Sequence, residues 1–86
     1  MNEPYQVTLQ SRAARDLDRF GADVLEQLAA AINELSQEPR GAGVKKLKGS
    51  ASIYRKRSGN YRILYEIDDA SREVIVHRVV DRKDAY

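Results

Sequence analysis

Residues 52–67 read SIYRKRSGNYRILYEI, two runs of alternating side chains around Ser58-Gly59-Asn60. Alternating β-branched and aromatic residues flanking a glycine-containing turn are the pattern of a β-hairpin, the glycine supplying a positive φ. The unusual feature is the charge. Arg55, Lys56, Arg57 and Arg62 all fall in this stretch, and no acidic residue precedes Glu66. Side chains alternate across a strand, so Arg55 and Arg57 share one face and Lys56 takes the other. If the strand after the turn pairs with the first, Arg62 can converge with both arginines on one side of a sheet.

The remaining elements follow outward from this hairpin. Residues 5–9, YQVTL, are β-formers and predict a short strand. Ser11 reads as the N-cap of a helix over residues 12–20, in which Ala13, Leu17 and Phe20 line one face and Gly21 is the stop. A second helix follows, with Asp23 and Glu26 spaced as a capping pair. Its apolar stripe is Val24, Leu25, Leu28, Ile32 and Leu35, and Pro39 closes it. Residues 39–52 are rich in glycine and small side chains and read as a loop anchored by Leu47. Strands are expected at 53–57, 61–67 and 73–80, with a turn at 68–72. The run Ile63-Leu64-Tyr65 marks 61–67 as the longest apolar strand and the central one. Together these predict an α+β fold: an N-terminal strand, a helical hairpin, then a three-stranded antiparallel meander with the helices packed on one face. Residues 1–86 read as a single domain without repeats or linkers.

Composition narrows the chemistry. The chain has no cysteine and one histidine, which removes disulfide frameworks, thiolate nucleophiles and zinc–thiolate sites. No apolar run approaches the ~20 residues of a membrane span, and the N-terminus lacks a basic-then-apolar leader pattern, so a cytoplasmic protein is expected. Net charge is +2, but its distribution is uneven. Residues 1–43 carry four Lys/Arg against seven Asp/Glu, and residues 44–86 carry eleven against six. Residues 39–65 hold eight basic residues and no acidic one. Segregation of this kind suits a polyanion, most often nucleic acid; a solvated basic face is the plainer alternative.

Several motifs carry no chemistry. Gly41 and Gly43 are too closely spaced for a phosphate loop and follow a helix instead of a strand. Asp68-Asp69 reads as a turn, and His77, between Ile75 and Val79, as a structural histidine. The basic and aromatic set says more. Arginine grips phosphate through paired donors and can stabilise the extra charge of a phosphoryl transition state. Tyrosine rings can stack on the bases of single-stranded RNA. Tyr61 and Tyr65 are expected under the helices, whereas Tyr86, after a charged stretch at the chain end, has no obvious core to enter.

The ordered set of segments LKGSASIYRKRSGNYRILYEIDD (47–69) and VIVHRVVDRKDAY (74–86) resembles the RelE/ParE superfamily of bacterial toxins from toxin–antitoxin pairs. The likeness spans nearly the whole chain: the Leu-Lys-Gly loop, the Tyr-Arg-x-Arg hairpin, the Tyr-Arg-x-x-Tyr strand and the Arg-x-x-x-Tyr tail. The tail is closest to the RelE-like branch, whose members cut mRNA in the ribosomal A site, while ParE-like members poison DNA gyrase.

That resemblance implies a ribosome-dependent mRNA endonuclease neutralised by a cognate antitoxin protein, with ribosome and mRNA as its other partners and no cofactor or metal. Its site would comprise Arg55 and Arg57 on the second-strand basic positions, Arg62, the tail Arg82, and Tyr86 stacking on a base. Lys45, Lys46, Lys48 and Lys83 would extend the RNA contact. The implied reaction is transesterification: the ribose 2′-OH attacks its 3′ phosphate, leaving a cyclic phosphate and a free 5′-OH. Arginine, with a pKa above ~12, is a poor base for that hydroxyl. Many relatives carry histidine just before the tail arginine; here the position is Asp81, which becomes a candidate base, with an rRNA group or orientation of the mRNA by the ribosome as the alternatives. Lys56 is discounted because it points away from Arg55 and Arg57. A gyrase poison and a catalytically degenerate antitoxin partner stand as alternatives.

Overall fold

The computed structural model describes residues 3–47 and 52–84. Strands β1 (Gln6–Leu9), β2 (Val44–Lys46), β3 (Ile53–Ser58), β4 (Tyr61–Asp68) and β5 (Glu73–Asp81) form one sheet in the order β1-β5-β4-β3-β2. Helices α1 (Ser11–Leu17) and α2 (Ala22–Gln37) lie between β1 and β2, and a 3₁₀ turn, Arg82–Asp84, follows β5. The β3-β4-β5 meander is antiparallel with β4 at its centre, as the alternation predicts. β1 joins the sheet in parallel with β5, a pairing that needs a long crossover and so leaves room for both helices. No helix among the described residues is long and apolar enough to cross a membrane.

Three local expectations are corrected. Val44–Lys46, read as loop, is an edge strand paired with β3 through Val44↔Lys56, Lys45↔Arg55 and Lys46↔Tyr54. Three residues are too few to display alternation. α1 starts at Ser11, so Gln10 is its N-cap, without a side-chain bond, and it ends at Leu17 instead of Phe20. Gly21, expected to stop α1, is instead the N-cap of α2, and no side chain caps that end.

The core lies between α2 and the sheet. Leu28, Ala31 and Leu35 of α2 and Ala13 of α1 pack with Ile63 and Tyr65 of β4 and Val74, Val76 and Val79 of β5. Fully buried Leu28 and Leu35 contribute about 2 kcal/mol each. The Tyr65 hydroxyl donates to Pro39 O at 2.6 Å, tying the exit of α2 to the central strand. Burial pushes its pKa up.

One irregularity decides which β5 side chains face the helices. Leu64 opposes Arg78 but Tyr65 opposes Val76, leaving His77 as an extra residue. This bulge shifts the alternation, so Val79 joins Val74 and Val76 in the core and Arg78 is released from it. His77 Nε2 lies 2.5 Å from Glu66 Oε1 and Nδ1 lies 3.0 Å from Gln10 Oε1, the structural role expected of it.

Candidate nucleic-acid interface

Cross-strand partners share a face, so the register of the meander sorts its cations. Arg57 opposes Arg62, which opposes Val80; Arg55 opposes Leu64 and, on its other side, Lys45. These arginines and Lys45 therefore lie on the face away from the helices. Lys56 opposes Ile63 on the helix side, where it is buried and its Nζ meets Glu34 Oε1 at 2.9 Å. The expectation that Lys56 stands apart from the arginines holds.

Two like charges directly opposite each other destabilise a strand pair, and Arg57↔Arg62 is such a pair. Arg62 is only 7% exposed, and its Nε is buried with no acceptor among the described residues. Among the described residues its one side-chain hydrogen bond, Nη1 to Tyr61 O, is long at 3.5 Å. A buried donor without an acceptor costs about 1–3 kcal/mol. Arg57 is exposed and has no ion-pair partner among the described residues. An anion at this end of the sheet would relieve both the repulsion and the missing acceptor.

The tail returns to the same end. The Arg82 backbone N–H donates to Asn60 O at 2.7 Å, holding the start of the 3₁₀ turn against the β3–β4 turn, and the Arg82 and Lys83 side chains are exposed. Asp81 does not join the arginines. It opposes Tyr61, whose ring packs edge-on to Phe20 at 5.0 Å on the helix side, and its Oδ1 accepts the Lys83 N–H. Strand parity carries the carboxylate to the face opposite the arginines. Lys46 likewise opposes Tyr54 on the helix side and sits over that ring. Tyr54 itself stacks on Tyr65 with centroids 5.9 Å apart, so it offers no ring to the arginine face. Tyr61 and Tyr65 pack beneath the helices as expected. Lys48 and Tyr86 lie outside the described residues.

Comparison with known proteins shows the family. Residues 7–86 match the family described as the ParE toxin of the type II toxin–antitoxin system parDE. The chain belongs to the RelE/ParE superfamily of type II toxins. Toxin RelG of Mycobacterium tuberculosis is 36% identical over 84 residues, covering 96% of this chain and 97% of the relative. The mRNA interferase toxin RelE of Escherichia coli is 31% identical over 81 residues, covering 92% and 84%. Among solved structures, the toxin–antitoxin complex RelBE2 from Mycobacterium tuberculosis matches with a TM-score of 0.83 at 36% identity, over 92% of this chain and 99% of that one.

Two features of this superfamily member were not legible in the sequence. An open apolar groove of about 590 Å³ runs between β1, α1 and α2, lined by Val7, Leu9, Leu17, Leu25, Leu28 and Ile32 among others. Leu25, part of the α2 apolar stripe, is 37% exposed, and Leu9 is 40% exposed. The stripe on α2 is wider than the sheet beneath it, and its outer edge lines the groove. The second feature is a basic cleft on α1, whose arginines are separated in sequence from every other basic cluster.

Proposed function

We propose that this toxin is a ribosome-dependent endoribonuclease that cleaves mRNA in the A site. The observation that carries the reading is the Arg57↔Arg62 pair on the open face, with the Arg62 Nε buried and without an acceptor among the described residues. The 2′-OH attacks the adjacent phosphate, the P–O5′ bond breaks, and the two products are a cyclic phosphate and a 5′-OH. Arg55, Arg57 and Arg62 bind the phosphate and stabilise the charge that builds on the phosphorane. Arg82 and Tyr86 complete the site, the arginine as a further phosphate contact and the tyrosine by stacking on a base. Lys45, Lys48 and Lys83 add flanking charge. We assign Asp81 no proton-transfer role, because its strand parity is opposite to that of the arginines. The ribosome's contribution is to orient the 2′-OH in line with the leaving oxygen, a positional effect that lowers the demand on a protein base. Cytoplasmic location follows from that partner.

A cognate antitoxin is the other partner. The apolar groove between β1, α1 and α2 fits the apolar face of an antitoxin helix, and its exposed Leu9 and Leu25 are natural anchors. Support comes from the solved relative, which is a toxin–antitoxin complex.

The test is to induce the protein in bacteria and map mRNA 5′ ends after brief exposure. Cuts within translated codons, absent when the start codon is destroyed, are expected. Arg62→Ala or Arg82→Ala should abolish growth arrest, lowering cleavage at least a hundredfold while antitoxin binding persists. Growth arrest retained in both would overturn the reading. The match to the ParE description favours a second reading, a gyrase poison. Intact messages with an induced DNA-damage response would select it.

A further inference from the structure

Away from the strand arginines, α1 and β5 build a second basic surface. A cleft of about 330 Å³ is lined by Arg12, Arg15, Asp16, Arg19 and Arg78 alone. Asp16 is already spent within the protein. Its Oδ2 accepts from Arg78 Nε at 2.7 Å and from the Val79 N–H at 2.9 Å, its Oδ1 accepts from Arg78 Nη2 at 3.0 Å, and Arg19 lies 3.7 Å away. The cleft thus holds four guanidinium groups and one carboxylate, and that carboxylate is taken by Arg78 and Arg19. Arg12 and Arg15 are exposed and have no ion pair among the described residues. Their spacing of three residues puts them on one side of α1.

This surface is continuous with the open face of the sheet. Across the strands the row runs Lys45, Arg55, Leu64, Arg78. β1 stops at Leu9, opposite Val76, so Arg78 stands beyond the end of that edge strand and reaches round to Asp16 on α1. One basic track therefore leads from β2 across the sheet and over its edge to Arg12 and Arg15.

We propose that the α1 arginines form a second RNA-backbone contact, gripping phosphates outside the Arg57–Arg62 site. The proposal rests on the reading that this toxin acts on RNA. The cleft's lining decides between partner classes. A peptide needs apolar anchors and β or helical complementarity, and this cleft has none; the apolar groove lies on the other side of α1. A phosphate backbone needs only forked donors and positive charge.

The experiment measures binding of a fluorescein-labelled oligouridylate to the free toxin by anisotropy over a series of KCl concentrations. For single strands the slope of log K against log salt is about 0.7 per phosphate neutralised. Arg12→Gln/Arg15→Gln is expected to reduce the slope by about 1.4 and to weaken binding severalfold at low salt. Both side chains are exposed, so circular dichroism should be unchanged. If the double variant keeps the wild-type slope while Arg57→Ala lowers it, the inference is overturned and the RNA reading of the strand site stands. A lowered slope in the double variant alone supports the α1 contact and removes the strand site. Absence of binding by the wild-type protein overturns the α1 inference, while the ribosome-dependent reading is decided separately by the mapping of mRNA 5′ ends. An unchanged RNA slope with weakened antitoxin binding would make the cleft an acidic-peptide site and overturn the proposal.

Discussion

At the scale of single residues, Asp16 joins structure to the candidate function. It is buried on α1 and holds Arg78 and the Val79 N–H of β5. Burial alone would raise its pKa. The Arg78 hydrogen bonds, the Val79 N–H and the charges of Arg78 and Arg19 outweigh that and bring it below the usual value. Asp69 is held at about 2, first by the Arg40 fork and then by the Tyr5 hydroxyl. Both carboxyls thus have folded pKa values below their unfolded ones. Their stabilisation is complete above roughly pH 4 and is lost as pH falls through the folded values. Urea titrations should show stability falling from about pH 4 downward, with a shallower acid limb in Asp16→Asn. Asp16→Ala should cost about 3 kcal/mol, because it strands Arg78 and a buried backbone donor. An unchanged urea midpoint for Asp16→Ala would refute this account.

At the scale of elements, the β3–β4 hairpin sets the cation register, and its turn is tightly specified. Gly59 has φ +57 and is the first of the two turn residues; Asn60 does not share the positive φ, the pattern of a type II′ turn. A Cβ at Gly59 would come within 2.6 Å of Gln27 Nε2, the group that donates to Ser58 O at 3.0 Å and so ties α2 to the hairpin. Gly59→Ala should destabilise by about 1–2 kcal/mol from the left-handed backbone, with displacement of Gln27 adding to it. Thermal melts of this variant and of Gln27→Ala would separate the contributions. The bulge at His77 acts on the opposite strand. Without the extra residue, strict alternation would send Arg78 into the core with Val74 and Val76, and the α1 clamp through Asp16 could not form.

At the scale of the whole molecule, the division into an acidic first half and a basic second half proves too coarse. The first half's acids lie mostly on and beyond α2, while α1 contributes Arg12, Arg15 and Arg19 to a basic cleft shared with β5. The molecule thus has a basic sheet face running onto one side of α1 and an apolar groove on the other side. Binding of an antitoxin helix in that groove makes a direct prediction. Leu25→Asp should leave the fold intact, since the side chain is 37% exposed. It should weaken antitoxin binding by tenfold or more, the loss expected from removing an anchor worth about 1.5–3 kcal/mol. Calorimetric titration showing wild-type affinity would exclude the groove as the docking site.

The amino-acid sequence by itself determined the fold class, the meander and the convergence of Arg55, Arg57 and Arg62. These depend on local signals: period-two alternation, a glycine at a turn, and the parity that separates Arg57 from Lys56. It also carried the superfamily, through short motifs in a fixed order along the chain. Only the tertiary structure decided the placement of Asp81 away from the arginines, the strand at Val44–Lys46, the exposure of Leu25 and the gathering of Arg12, Arg15 and Arg78 around Asp16. Each of these depends on a partner far along the chain. A single extra residue in β5 reverses parity for everything after it, and a three-residue strand exists only because β3 offers it an edge.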